Sequence, residues 1–233
     1  MKALLFDLDG TLIDSMPHHL SAWVAWYARR NEVMDAGSFF AATAGRSNPE
    51  ILLDLFPQHS AQEHVVMADD KEALFRELAT ASLVLINGAQ MFVERARLAD
   101  LRLAVCTAAT PQNMALAFQL FGIDRWVDTV TSPADGLRGK PHPDIFLEAA
   151  RRLGVAPADC IVFEDAPLGV EAARRAGMTA VALTTTLPAS AFAEFDNLLA
   201  IAPDFTTLDL AALLRASPLT AGSPPFAKAT HDA

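Results

Sequence analysis

Asp7 and Asp9 stand two residues apart at the end of an apolar run, Ala3 to Phe6, and Gly10-Thr11 follows them. So short a run of apolar residues reads as a strand buried on both faces. Carboxylates at the end of such a strand repel each other and lose hydration, so one takes up a proton unless a cation holds both ionised. Three later apolar runs end in the same way. "LRLAVC" leads to Thr107 and then Ala108-Ala109-Thr110, and "VDTVT" leads to a loop carrying Lys140 between Gly139, Pro141 and Pro143. "CIVF" leads to Glu164 and Asp165. Ligands of open α/β sheets bind beyond the carboxyl ends of the strands. Four acids, a hydroxyl and an ammonium are therefore expected in one place.

The chemistry of that set is phosphoryl chemistry. Carboxylates are hard ligands suited to octahedral Mg²⁺, which keeps part of its water and binds phosphate oxygens. The set has no Cys or His ligands, which argues against zinc. A metal held by Asp7 and Asp165, with Asp9 a further candidate ligand, would surround a phosphoryl group together with Lys140, Thr107 and the amides from Ala108 onward. Glu164 would either contact the metal through water or support its neighbour. Asp7 is then the candidate nucleophile and Asp9 the candidate general acid and base. An isolated Asp-x-Asp is commonly a turn or a helix cap; the three later strand ends favour the catalytic reading. Thr110 reads as a helix cap before Pro111, and His142 as a structural residue of the lysine loop.

The elements that must position these residues alternate. From Asn87-Gly88 onward, strand and helix follow one another: a helix near 88–99, "LRLAVC", a helix from Pro111 to Phe121, "VDTVT", "DIFLEAARRLG", "CIVF", "GVEAARRAG" and "TAVALT". That order predicts an α/β fold, a doubly wound parallel sheet covered on both faces. Residues 15–82 interrupt it after the first strand with about four predicted helices and no strand candidate. The first carries Leu20, Trp23, Val24 and Tyr27 at helical spacing, the second is "DAGSFFAATAG" closed by Gly45, and capping-box pairs Ser47/Glu50 and Ser60/Glu63 open the next two. The expected organisation is a core of residues 1–14 and 83–216, an inserted helical domain over 15–82, and a loose tail over 217–233.

Composition narrows the class of function. With 18 basic against 28 acidic residues, the net charge of −10 argues against nucleic acid and anionic membrane as partners. The N-terminal apolar run is too short for a signal peptide, and no run approaches the ~18 residues of a membrane span. Cys106 and Cys160 both sit in apolar runs and read as reduced, buried thiols of a cytoplasmic protein. A monomer acting on a small molecule is expected.

Taken together, "DLDGT", Thr107, Lys140 in "GKPHPD", and Glu164-Asp165 in "FEDAPLGVEAARRAG" resemble the four ordered motifs of the haloacid dehalogenase superfamily. The branch is that of β-phosphoglucomutase and the small-sugar phosphatases, and the resemblance covers roughly residues 1 to 210. It implies a Rossmann-like core, a helical cap over the substrate, Mg²⁺, and an aspartyl-phosphate formed on Asp7. His19 is similar to the hinge histidine of the mutase cap, and Arg46 after Gly45 is a candidate substrate contact. Where the mutase cap carries a phosphate-binding arginine, this chain has Asn48. The resemblance implies a phosphatase of a small sugar or polyol phosphate, with a phosphosugar mutase as the alternative. A dehalogenase or phosphonate hydrolase fits less well, because the resemblance there lacks an acid at the position of Asp9. A receiver domain, a phospho-acceptor switch of similar residue types, has neither this motif order nor a helical insertion.

Overall fold

A computed structural model describes residues 1–43 and 47–216 of the chain. Six strands, β1 (Ala3–Phe6), β2 (Arg102–Cys106), β3 (Thr129–Thr131), β4 (Cys160–Glu164), β5 (Thr179–Leu183) and β6 (Leu198–Ala202), form one sheet in the order β3-β2-β1-β4-β5-β6. Every pairing is parallel. The reason is visible in β1, whose residues are all 0% exposed because both faces are covered by helices. On one face Leu4, Phe6, Val105 and Phe163 meet α5 (Ala89–Leu98), α6 (Pro111–Phe121) and α9 (Leu210–Arg215). On the other Leu5, Ala104 and Val162 meet α7 (Asp144–Leu153) and α8 (Pro167–Arg175).

β6 was not among the expected strands. Its apolar run ends in Pro203 rather than in a candidate site residue, and it lies at the sheet edge beside β5, where Ala200 and Ile201 are only half-buried. The predicted helices from Pro111 and through "DIFLEAARRLG" end where expected, on Gly122 (φ 67°) and Gly154 (φ 67°).

Between β1 and α5 the chain forms α1 (Met16–Ala28), α2 (Ala36–Thr43), α3 (Asn48–Leu55) and α4 (Ala61–Ala79). Both capping boxes are present, at Ser47/Glu50 and Ser60/Glu63. The buried stripe of α1 differs from the expected one: Ala22, Trp23 and Trp26 are buried while Val24 is 41% exposed. The helix turns its indoles inward because Trp26 packs edge-on against Trp23, at 5.5 Å, and against Phe56, at 5.6 Å. The segments entering and leaving this helical layer run side by side. The Asp14 amide donates to Val84 O at 2.9 Å, and the Ile86 amide to Leu12 O at 3.0 Å. Gly45, Arg46 and the expected tail at 217–233 lie outside the described residues. Among the described residues no helix is long and apolar enough to cross a membrane.

Under the C-terminal ends of β1 and β4, four phenylalanines make the floor of the core. Phe163 stacks on Phe6 at 4.8 Å and meets Phe92 at 5.3 Å and Phe205 at 5.7 Å. Phe163→Ala should therefore cost about 3–5 kcal/mol by cavity formation, whereas loss of the exposed Ser60 cap should cost about 1 kcal/mol. Urea unfolding followed by circular dichroism checks this, and equal costs for the two variants would contradict it.

Candidate active site

The ends of β1, β2 and β4 and the loop after β3 converge as expected. Asp7 leaves β1 with its amide donating to Phe163 O at 3.0 Å, which fixes the first acid level with the end of β4. There Glu164 closes β4 and Asp165 follows it. Carboxylate oxygens of Asp7, Glu164 and Asp165 all lie within 4.8 Å of one another, and the three residues are buried. The Lys140 ammonium, from the loop after β3, pairs directly with both Asp7 and Glu164.

Two glycines make room for this crowding. A Cβ on Gly10, whose φ is +73°, would fall 2.2 Å from Asp165 Oδ2. One on Gly169, in the first turn of α8, would fall 1.9 Å from Glu164 Cδ. Both acids thus pack against bare backbone. Asp165 is further held at both oxygens, by Thr11 Oγ1 at 3.2 Å and by the Thr186 hydroxyl.

Charge within the cluster is unbalanced. Burial and the neighbouring carboxylates push Glu164 up to about 8 and Asp165 up to about 7, and burial raises Asp7 as well. Burial alone would lower the Lys140 ammonium, but Asp7 and Glu164 beside it hold it above its ordinary value. Asp9 behaves differently. Burial works to raise it, yet His19 and Ser15 pull it below the usual carboxylate value.

The loop after β2 supplies the donors. The Thr107 amide donates to Thr131 O at 3.0 Å, and Thr107 Oγ1 accepts from the Ala109 amide at 3.0 Å. Thr110 caps α6 by accepting from the Asn113 amide at 3.3 Å, as its sequence position suggests. Thr107, Ala108, Ala109 and Lys140 line one cavity with Asp7, Asp9, Glu164 and Asp165. Its volume is about 670 Å³, and its far wall comes from the helical layer through Leu20, Trp23 and Phe39.

That wall carries His19, named from the sequence, and beside it Lys71 and Glu72, which sequence reasoning missed. His19 Nε2 faces Asp9 Oδ1 at 3.5 Å, and its ring stacks on Phe75 at 3.9 Å. His19 Nδ1 lies 2.7 Å from Lys71 Nζ. An ammonium only donates, so Nδ1 accepts and the imidazole proton sits on Nε2, toward Asp9. Lys71 is 1% exposed and pairs with Glu72 at 2.9 Å. Burial lowers the Lys71 ammonium against the pull of Glu72 and Asp9, and Glu72 is held down at about 2, its burial overcome by Lys71, His19 and Asn113. In the sequence Lys71 and Glu72 look like members of a solvated run. The signal that separates Lys71 is its register with Met67, Leu74 and Phe75, the buried stripe of α4.

The structure therefore brings together Asp7, Asp9, Thr107, Ala108, Lys140, Glu164 and Asp165, with His19 across the cavity. Asp9 stands apart from the three-carboxylate cluster, engaged by His19 instead. Arg46 lies outside the described residues. The cluster is a hard, oxygen-only donor set whose negative charge one ammonium cannot balance, which fits Mg²⁺.

Known proteins share both the sequence and the fold. Residues 1–177 match the sequence family described as haloacid dehalogenase-like hydrolase. The validoxylamine A 7'-phosphate phosphatase of Streptomyces hygroscopicus subsp. limoneus is 36% identical over 201 residues, which cover 85% of this chain and 92% of that protein. The fructose-1-phosphate phosphatase YqaB of Escherichia coli (strain K12) is 30% identical over 186 residues, covering 76% of this chain and 94% of that one. The crystal structure of a HAD hydrolase, family IA, variant 3 from Entamoeba histolytica superposes with a TM-score of 0.85 at 26% identity, covering 92% of this chain and 98% of that one. Motifs in the same order, a parallel sheet with its acids at the strand ends and a match through residue 177 make one conclusion: the chain belongs to the haloacid dehalogenase-like hydrolases.

Proposed function

We propose that this enzyme is a Mg²⁺-dependent cytoplasmic phosphomonoesterase acting on a small phosphorylated sugar or polyol through an aspartyl-phosphate. The observation that carries the reading is the split between its paired acids: Asp7 is clamped by Lys140 in the carboxylate cluster, while Asp9 is held apart by His19. An Asp7 oxygen attacks phosphorus, and the bond from phosphorus to the leaving oxygen breaks. Asp9 gives that oxygen its proton. Water then attacks the acyl-phosphate, losing a proton to Asp9, and Asp7 and inorganic phosphate are released. The Nε2–H of His19 faces Asp9 and orients that carboxylate between the two steps, while the attacking water is the source of the proton that recharges it.

Asp7, Glu164 and Asp165 would hold the metal, which when bound neutralises charge on the phosphoryl oxygens. Lys140, Thr107 and the amides that follow it orient the same oxygens. Residues 15–82 act as the cap that covers the leaving group, and the cavity exceeds what a phosphoryl group alone would fill. Relatives named for phosphorylated polyhydroxy compounds support the same class. Hydrolysis is favoured over a mutase because Asn48, standing where the mutase carries an arginine, donates its amide to Glu72.

A panel of phosphorylated metabolites, including β-glucose 1-phosphate and its bisphosphate, assayed for phosphate release tests the reading. Chelation should abolish release and Mg²⁺ restore it. Asp7→Asn should leave no acyl-phosphate, and Asp9→Asn should slow turnover by roughly 10²–10⁴-fold. Near-normal turnover in Asp7→Asn would rule out the covalent route.

Stability should depend on pH and metal together. With Glu164 at about 8 and Asp165 at about 7, against ordinary values of 4.5 and 3.8, the folded metal-free chain holds protons that the unfolded chain releases. The contribution of these two carboxyls to stability therefore falls as pH rises from about 4 to about 8. A cation that binds the ionised carboxylates opposes that loss. The melting temperature without metal should be lower at pH 8 than at pH 6, and Mg²⁺ should raise it more at pH 8. Equal Mg²⁺ shifts at the two pH values would remove these carboxylates from the metal site.

A further inference from the structure

One buried polar junction joins the helical layer to the sheet layer and has no part in the chemistry above. Asn113, in the first turn of α6, is 5% exposed. Its amide nitrogen donates to Glu72 Oε2 at 2.6 Å, and its oxygen accepts from Arg76 Nη1 at 3.0 Å. Both partners belong to α4. Arginine only donates, so the Asn113 oxygen must face Arg76 and its nitrogen must face Glu72. The amide orientation is thereby fixed. The other Glu72 oxygen accepts from Lys71, at 2.9 Å, and from the Asn48 amide. Lys71 in turn reaches His19, which faces Asp9.

We propose that Asn113 is a positioning residue that docks α4 on the N-terminal turn of α6 and so aligns Lys71 and His19 on Asp9 when the helical layer rests over the site. Its functional consequence rests on the phosphatase reading. Glu72 is pinned at both oxygens, so its distance from the Lys71 ammonium is set by where Asn113 holds it. The same turn of α6 follows directly on Thr107-Ala108-Ala109, so the contact lands beside the donors for the phosphoryl group. A substrate with a poor alkoxide leaving group needs Asp9 aligned; an activated aryl phosphate needs it far less.

Exchanging donor and acceptor tests the junction. Asn113→Asp alone sets two acceptors face to face, and Glu72→Gln alone sets two donors face to face. The double variant restores a donor–acceptor pair, keeps an oxygen toward Lys71 and Asn48, and keeps an acceptor toward Arg76. Each single variant should speed hydrogen exchange of the α4 amides by about tenfold, the cost of one unmade buried hydrogen bond. Each should also lower kcat/KM for fructose 1-phosphate by about tenfold, and that for p-nitrophenyl phosphate by less than about threefold. The double variant should return all three to within about threefold of wild type. Unchanged exchange in the single variants, equal losses on the two esters, or a double variant no better than the singles would each overturn the proposal. Exchange needs no turnover, so a wild-type chain inert toward every phosphate ester would defeat the phosphatase reading while the exchange results still decided the junction.

Discussion

Lys140 is one ammonium set among buried carboxylates, and much of the architecture answers to that imbalance. Asp7, Glu164 and Asp165 crowd within 4.8 Å of one another, and each buried ion without compensation costs several kcal/mol. The cluster can exist only if separate strands end at one level, which the parallel register of β1 with β4 provides by pairing Phe6 with Phe163. Close approach further requires backbone without side chains at Gly10 and Gly169. The lysine loop must also be stiff. Arg138 grips Asp144 with two hydrogen bonds of 2.8 Å each, tying the loop to the start of α7 on either side of Lys140. Such a bidentate pair fixes geometry more than it adds energy at this exposure.

The same physics tells the two aspartates of "DLDGT" apart. They stand two residues apart, yet burial raises Asp7 in the cluster while His19 and Ser15 overcome burial at Asp9 and lower it. Opposed environments for carboxyls two residues apart fit the proposed division between a nucleophile and a group that exchanges protons. Motif order in the sequence already points to Asp7 as the candidate nucleophile and Asp9 as the candidate acid and base. The structure adds the donor that each carboxylate faces, the Lys140 ammonium from the sheet side or the His19 Nε2–H from the helical side.

How much of this was legible in the sequence follows from how local each signal is. The strand ends could be read because an apolar run followed by charge is a pattern of a few residues. The capping boxes at Ser47 and Ser60, and the stop at Gly154, were legible for the same reason. The edge strand β6 and the inward turn of Trp26 were not, because each depends on which neighbour covers it. Lys71 is the instructive case. It follows Asp69 and Asp70 and precedes Glu72, a composition that reads as solvated surface, yet it is 1% exposed. Only its register with Met67, Leu74 and Phe75 marks it as core-facing, and only the fold shows that a histidine waits opposite.

The point of insertion gives the helical layer its influence over the chemistry. It departs just after β1, so the segment that leaves Asp9 is the one that enters α1 and carries His19 ten residues on. The return segment runs beside it, with Asp14 bonded to Val84 and Ile86 to Leu12, so the layer joins the sheet through two neighbouring strands of chain. His19 and Lys71 thus share the helical layer, while Asp7, Lys140 and Asp165 belong to the sheet layer. On the proposed reading, binding of the phosphoryl group and readiness for proton transfer would therefore be governed by different layers. The cavity wall with Leu20, Trp23 and Phe39 belongs to the layer that carries His19 opposite Asp9. On the proposed phosphatase reading, a leaving group that lets this layer settle would be the one whose departure Asp9 is placed to assist, so the topology of the chain would couple discrimination to acid–base chemistry.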